Sequence, residues 1–132
     1  MNKNIKYACI DIGLKRIGLA TSLAMGIVTP AHVILRKNRN QAANDVDSFL
    51  NEWQIDTLVV GLPSASEEMQ RRIQHFVKLL KFTGNIEFQE ENMSSVEAED
   101  LIKGEIKYKR DGRIDCIAAK IILERFLKKV IY

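Results

Sequence analysis

The chain lacks the features on which membrane, secreted and zinc-binding proteins usually depend. No apolar run approaches the roughly 18 residues that cross a bilayer, and residues 1–4 are not followed by the hydrophobic segment of a signal peptide. The two cysteines, Cys9 and Cys116, lie in apolar segments without metal-ligand spacing, which favours buried thiols over a disulfide or a zinc site. Neither His32 nor His75 has a partner at ligand spacing. We therefore expect a cytoplasmic protein that does not contact a membrane.

Charge of one sign is also scarce, because 20 basic residues against 17 acidic ones leave a formal charge of only +3. This balance permits a nucleic-acid partner without requiring one. Basic residues nevertheless crowd around Tyr108, at positions Lys107, Lys109, Arg110 and Arg113. Such a cluster suits a phosphate backbone with a base stacked on the ring, although many clusters of this kind are simply solvated loops.

The hydrophobic content of 46% and the length of 132 residues are those of a globular protein with a real core. We expect one domain over residues 1–132. Apolar periodicity predicts strands at 5–11, 17–22, 31–35, 56–60 and 85–89. It predicts helices at 40–53 and 66–82, a short helix from Ser94 to Gly104, and a final helix from about 111. Because proline has no amide donor, the third strand should either lie at an edge of the sheet or enter the sheet only after Pro30.

The element order is therefore β-β-β-α-β-α-β-α-α. Strands joined by tight turns run antiparallel, and strands joined by helices run parallel. The prediction is an α/β fold with a mixed five-stranded sheet, three antiparallel strands followed by two parallel ones, flanked by helices. With the first strand central, the carboxyl ends of the parallel strands would bring Asp11, residues 61–63 and the pair Glu90-Glu91 to one edge.

Acidic residues at that edge suggest a cation site. Asp11 follows a buried strand and precedes Gly13, an arrangement that can hold a metal ion but that is also typical of a simple turn. Asp115 lies in the first turn of the final helix, on a face shared with Ala119 and Ile122, and the small Ala118 and Ala119 would let this helix approach the sheet. A carboxylate on a core-facing stripe is costly unless it is paired or binds a cation, although a capping role could also explain Asp115.

Four blocks of the sequence together resemble the YqgF (RuvX) family. They are residues 11–20 (DIGLKRIGLA), 59–63 (VVGLP), 90–98 (EENMSSVEA) and 113–123 (RIDCIAAKIIL). The family has a ribonuclease H-like fold, and its members are described as pre-16S rRNA nucleases and, earlier, as Holliday-junction-resolvase homologues. The resemblance implies that Asp11, Glu91 and Asp115 are the catalytic carboxylates, with Glu90 a further candidate metal ligand.

The chain departs from the family pattern at several positions. Asn92 replaces the usual arginine and removes a bidentate phosphate clamp. Leu14 replaces a small hydroxyl residue, and the loop after Pro63 is shortened to residues 64–66. These departures bear on substrate choice and on activity more than on the fold.

The leading hypothesis is a phosphodiesterase that acts on structured RNA with Mg²⁺ or Mn²⁺ as cofactor, since hard carboxylate oxygens suit these ions. Two ions roughly 3.5 to 4 Å apart would activate the attacking water and stabilise the leaving oxygen. The residues expected to hold the nucleic-acid backbone are Lys15, Arg16, Lys109, Arg110 and Arg113.

Three rival hypotheses remain open. A resolvase for branched DNA must hold two equivalent strands and should be a two-fold dimer, whereas a processing nuclease can act as a monomer or a weak homodimer. A nucleic-acid-binding module without catalysis would bind RNA with a steep salt dependence. An actin-like or sugar-kinase ATPase would need two lobes, and the chain is long enough for one.

Overall fold

One mixed sheet organises the computed structural model, which describes residues 5–24, 26–91 and 113–130. Its strands are β1 (Tyr7–Ile12), β2 (Arg16–Ser22), β3 (Thr29–Leu35), β4 (Thr57–Pro63) and β5 (Asn85–Glu91). They lie in the order β3-β2-β1-β4-β5. The pairs β1–β2 and β2–β3 are antiparallel, and β1–β4 and β4–β5 are parallel. The predicted five-stranded mixed sheet, its central first strand and its edge strand β3 are confirmed.

Three helices flank the sheet: α1 (Arg39–Glu52), α2 (Glu67–Val77) and α3 (Arg113–Val130). Asn38 begins α1 with a capping box, in which its side chain accepts a hydrogen bond from the Gln41 amide at 2.8 Å while the Gln41 side chain accepts from the Asn38 amide. Ser66 caps α2 by accepting from the Met69 amide at 3.2 Å. None of these helices, within the part of the chain described, is both long and apolar enough to cross a membrane.

The two faces of the sheet are covered by different helices. Because successive residues of a strand point to opposite faces, Ile10 and Ile12 pack with the buried residues of α1 and α2, while Cys9 packs with α3. The α3 face is formed by Ala20, Val59, Ala119, Ile122, Leu123, Phe126 and Leu127. Burying a side chain of leucine or isoleucine size contributes about 1.5 to 3 kcal/mol, so both layers hold the sheet in place. Both cysteines are buried and unpaired.

The C-terminal end predicted for the second helix was wrong. Helix α2 ends at Val77 rather than at Phe82, since the amides of Leu79 and Leu80 donate to carbonyls three residues back and the Lys81 amide donates to the Asp47 carboxylate. This turn lets Phe82 pack against the core from outside the helix. The predicted helix from Ser94 to Gly104 lies outside the described residues.

The predicted ends of α1 and β3 also need correction. Trp53 caps α1 and remains 42% exposed, so it does not belong to the buried face of that helix. Strand β3 includes Pro30, which lies opposite Ala20 where the register of the ladder shifts. An edge position with an irregular ladder tolerates a residue that has no amide proton.

Helix α3 comes unusually close to β2 at Gly18. A Cβ atom at this position would lie 2.0 Å from the main-chain oxygen of Asp115 and 2.9 Å from the Asp115 Cβ. Gly61 makes a similar but softer contact, because a Cβ there would meet the end of the Ile122 side chain at 2.7 Å. Position 18 therefore has room only for glycine while the helix keeps its place.

Gly18→Ala is expected to lower the free energy of unfolding by at least about 2 kcal/mol, because the new methyl group would collide with main-chain atoms of α3 that cannot rotate away. Gly61→Ala is the matched control and should cost less, since the Ile122 side chain can change rotamer. Urea unfolding followed by circular dichroism measures both. Equal losses in the two variants would contradict the close approach at Gly18.

Candidate active site

The β1–β2 hairpin and the first turn of α3 bring two acidic residues together. Asp11 and Gly18 are direct partners across the two strands, and Asp115 lies over Gly18. Asp11 has the same side-chain direction as Cys9, which packs with α3. The two carboxyl groups are therefore neighbours on the α3 face, close enough for the charge of Asp115 to act on Asp11.

Asp115 forms an ion pair with Arg16, the first residue of β2. The Arg16 Nε donates to Asp115 Oδ2 at 2.9 Å, and the two side chains are 28% and 24% exposed. The pair joins α3 to the hairpin that carries Asp11. It also supplies a positive charge beside two negative ones, which reduces the repulsion between them.

Glu91 ends β5 on the same face but lies farther away. Strand β4 lies between β1 and β5, because its residue Val60 pairs with Ile10 of β1 and with Phe88 of β5. Glu91 of β5 is therefore two strands away from β1, about 10 Å across the sheet. Its charge still acts on Asp11. Glu91 is buried, and its carboxylate accepts hydrogen bonds from Arg125 of α3 and, at 3.2 Å, from the Gln89 side chain.

Glu90 points away from this face. Neighbouring residues of a strand alternate, and Glu90 is exposed whereas Gln89 and Glu91 are buried. Of the two glutamates proposed as metal ligands on this strand, only Glu91 therefore faces the side of the sheet that Asp11 faces.

Burial, followed by the negative charges of Asp115 and Glu91, raises the pKa of Asp11 to about 7. Within the described residues the Asp11 carboxylate has no ion pair and accepts no hydrogen bond. An ionised carboxylate in this position is unfavourable unless a cation compensates it.

The oxygen donors of these side chains suit a hard divalent ion. Asp11 is an oxygen donor without a partner, and the buried Gln89 Oε1 also has none among the described residues. Exchanging the oxygen and nitrogen of this amide would put the oxygen against Glu91 Oε2 and the Glu90 carbonyl, which are both acceptors. Oxygen donors of this kind are the ligands of Mg²⁺ and Mn²⁺. No three acidic, histidine or cysteine side chains of the described ranges are, however, already placed to share one ion.

The residues expected to hold nucleic acid are only partly described. Lys15 is exposed at the tip of the β1–β2 hairpin, and Arg16 is engaged with Asp115. Lys109 and Arg110 lie outside the described residues. Of Arg113, only the backbone at the start of α3 is described.

Two residues of the site were missed from the sequence. Arg125 continues the stripe of Asp115, Ala118 and Ile122 at steps of three and four residues, and this spacing could have indicated it. Gln89 gave no comparable signal, because a glutamine in a short strand is most often exposed.

Asp11→Asn is expected to stabilise the metal-free protein at pH 8 by about 2 to 4 kcal/mol. The folded protein holds the Asp11 proton up to about pH 7, against an ordinary pKa of 3.8. The contribution of Asp11 protonation to the free energy of unfolding is therefore fully present below pH 4 and is lost as the pH rises towards 7. The advantage of the variant should grow over this range. Urea unfolding in EDTA between pH 4 and pH 8 measures it.

Glu87→Gln is the control, since Glu87 is exposed on β5 and its removal should give a small difference at each pH. A difference between wild type and Asp11→Asn that does not change with pH would contradict the raised pKa of Asp11.

Comparison with known proteins places this geometry in a family. The model of the family RuvX, described as Holliday junction resolvase, matches residues 5–129. A Sulfurovum protein named "Putative pre-16S rRNA nuclease" is 60% identical over 126 residues, covering 93% of this chain and 98% of that protein. A Sulfurimonas denitrificans protein of the same name is 54% identical over 128 residues, covering 95% and 98%.

Solved structures show the same fold at low identity. The fowlpox virus resolvase in complex with Holliday junction DNA is 13% identical, with a TM-score of 0.59 over 97% of this chain and 100% of that one. The RuvC structure from Thermus thermophilus is 11% identical, with a TM-score of 0.53 over 96% and 97%. The predicted ribonuclease H-like fold is thus confirmed, and the chain belongs to the RuvX family.

Proposed function

We propose that this chain is a metal-dependent nuclease that hydrolyses phosphodiester bonds of precursor 16S ribosomal RNA during maturation of its 5′ end. The main support is that Asp11 and Asp115 are neighbours at the edge of the sheet where β5 ends at Glu91. Relatives that carry a nuclease name match nearly the whole chain, which supports assigning hydrolysis to this edge.

In this proposal Asp11, Glu91 and Asp115 are the catalytic carboxylates. When bound, a divalent ion such as Mg²⁺ or Mn²⁺ lowers the pKa of the attacking water and stabilises charge on the leaving oxygen. Asp11 would hold the ion because it has no competing partner among the described residues, and Gln89 Oε1 is a second free oxygen donor in that part of the chain. Glu90 would take no direct part, since it is exposed on the other side of the strand.

Arg16 and Arg125 would balance the charge of the site. Three ionised carboxylates and two guanidinium groups give the site a net charge of one negative unit. This excess favours binding of a cation. Both arginines already contact a carboxylate of the site. With the exposed Lys15, Arg16 would also lie beside a phosphate that reaches Asp11, because guanidinium groups bind phosphate as readily as carboxylate.

We propose that residues 1–132 act as one nuclease domain in the cytoplasm, where buried cysteines stay reduced. The partner is precursor ribosomal RNA, and a monomer or weak homodimer would suffice for cutting one strand.

Cleavage of branched DNA is the second candidate function. It is favoured by the description of the family model as Holliday junction resolvase. The chemistry at the carboxylates would be the same, and the substrate would differ.

Asp11→Asn and Glu91→Gln are each expected to slow cleavage of a precursor 16S fragment by at least about 100-fold in Mn²⁺, since each removes a negative charge from the site. Glu90→Gln is the matched control on the same strand and should cleave like wild type. Single-turnover rates on a 5′-labelled RNA measure the effect, and melting curves show whether each variant is folded.

A four-way DNA junction assayed in parallel separates the two candidates. Faster cutting of the junction than of the RNA, by a two-fold dimer detected in light scattering, would replace the rRNA proposal with the resolvase. Wild-type rates in Asp11→Asn and Glu91→Gln would exclude the site itself.

A further inference from the structure

A basic cavity lies on the other face of the sheet from Asp11. It has a volume of about 410 Å³ and is formed between the β1–β2 hairpin, the start of α1 and one side of α2. Ile12 and Phe76, both buried, belong to its apolar wall. Its polar groups are Arg36, Arg39, Arg72 and His75, and no acidic residue is among the described side chains that line it. We call this cavity the arginine pocket.

Arg36 is held in place in the wall of the arginine pocket by two contacts. Its Nη1 donates to the Gly13 carbonyl at 2.7 Å, and its guanidinium carbon lies 5.2 Å from the centre of the Phe76 ring. Burial and the nearby positive charge of Arg39 lower the pKa of Arg36. A partly buried guanidinium close enough to feel a second positive charge is unfavourable without an anion, so the pocket favours a negatively charged ligand.

Arg72 adds a third guanidinium from α2. It pairs with Glu68 one turn earlier at 2.9 Å, with side chains that are 55% and 67% exposed. An exposed pair of this kind contributes little, typically below about 1 kcal/mol, so Arg72 can exchange its partner for another anion at little cost.

The position of the arginine pocket relates it to the candidate active site. Gly13 and Leu14, which line the pocket, directly follow the β1 residues Asp11 and Ile12. Asp11 faces α3 and Ile12 faces the pocket side. A nucleic-acid strand that passes over the tip of the hairpin could therefore contact the carboxylates on one side and the arginines on the other.

We propose that the arginine pocket binds a phosphodiester group of the nucleic-acid substrate away from the bond that is cut. The guanidinium fork matches the geometry of phosphate oxygens, and several such contacts determine how a strand is held without reading its sequence. The inference rests on the proposed function, because it takes RNA to be the substrate.

Binding of RNA to a non-cleaving protein tests the inference. In the Asp11→Asn background with EDTA, a labelled precursor 16S fragment is titrated at several KCl concentrations and followed by anisotropy. Adding Arg39→Met and Arg72→Met should raise Kd about tenfold near physiological salt and reduce the slope of log Kd against log salt by about 1 to 2. Arg36 is left unchanged because it also supports the hairpin.

Arg71→Met is the matched control, since Arg71 is exposed on α2 but does not line the arginine pocket. It should change Kd much less than the double substitution. Replacing Arg39 and Arg72 by lysine keeps the charges and should restore most of the salt slope. Equal effects of the double substitution and of Arg71→Met, or absence of RNA binding by the parent protein, would overturn the inference.

Fragments with a 5′-phosphate and with a 5′-hydroxyl distinguish the two sources of phosphate. An equal effect of the double substitution on both supports an internal phosphodiester, and an effect confined to the phosphorylated RNA overturns it. The binding assay is independent of the cleavage assay described above. If RNA binding depends on the pocket but the wild-type protein does not cleave RNA, only the proposed nuclease activity is rejected. Cleavage by wild type with no role for the pocket would reject only this inference.

Discussion

The contact between the final helix and strand β2 at Gly18 is the constraint on which the candidate site depends. Gly18 is the cross-strand partner of Asp11, and the absence of its Cβ leaves the space that the main chain of Asp115 occupies. Ala119 and Ile122, further along α3, seal the same face against Cys9 and Val59. The packing that stabilises this layer thus also sets the separation of the two carboxylates.

Electrostatics on this face are balanced between elements that are distant in sequence. Each of two carboxylates has an arginine from another element, Arg16 for Asp115 and Arg125 for Glu91. Asp11 has no such partner among the described residues, and its pKa is raised to about 7 as a result of burial and of its acidic neighbours. The side chains of Arg16, Asp115 and Arg125 are partly exposed, whereas that of Glu91 is buried. Both arginines reduce the repulsion between the carboxylates of the site. The unpaired carboxylate is where a cation would gain most.

Most of the fold could be predicted from the sequence because its signals are local. Alternating apolar residues and β-branched runs predicted the strands, and Pro30 indicated that β3 is an edge strand. The helix between β1 and β4 predicted the parallel pairing of these two strands. The end of α2 could not be predicted, because it depends on the hydrogen bond between Lys81 and Asp47, 34 residues apart. Boundaries set by tertiary contacts leave no local pattern.

The sequence indicated the acidic residues of the candidate site and Arg16, but it did not indicate Gln89 or Arg125. The positions of Asp11 and Asp115 follow from strand ends and helix periodicity. Which of Glu90 and Glu91 faces inward depends on the register of β5 against β4, and a shift of one residue would exchange them. The arginine pocket depends on three elements meeting, since Arg36 and Arg39 come from the start of α1 and the residues just before it, Arg72 comes from α2, and the β1–β2 hairpin supplies the remaining side. A cluster of that kind becomes visible only when the chain is folded.

The central claim is that Asp11 and Asp115 form one cation site at the carboxyl edge of the sheet, with Glu91 nearby. Anomalous diffraction from a crystal soaked in Mn²⁺ tests it most directly. We expect a manganese peak within about 2.5 Å of an Asp11 carboxylate oxygen, on the α3 face of the sheet. Manganese bound only elsewhere, with Asp11 in contact with no ion at pH 8, would contradict it.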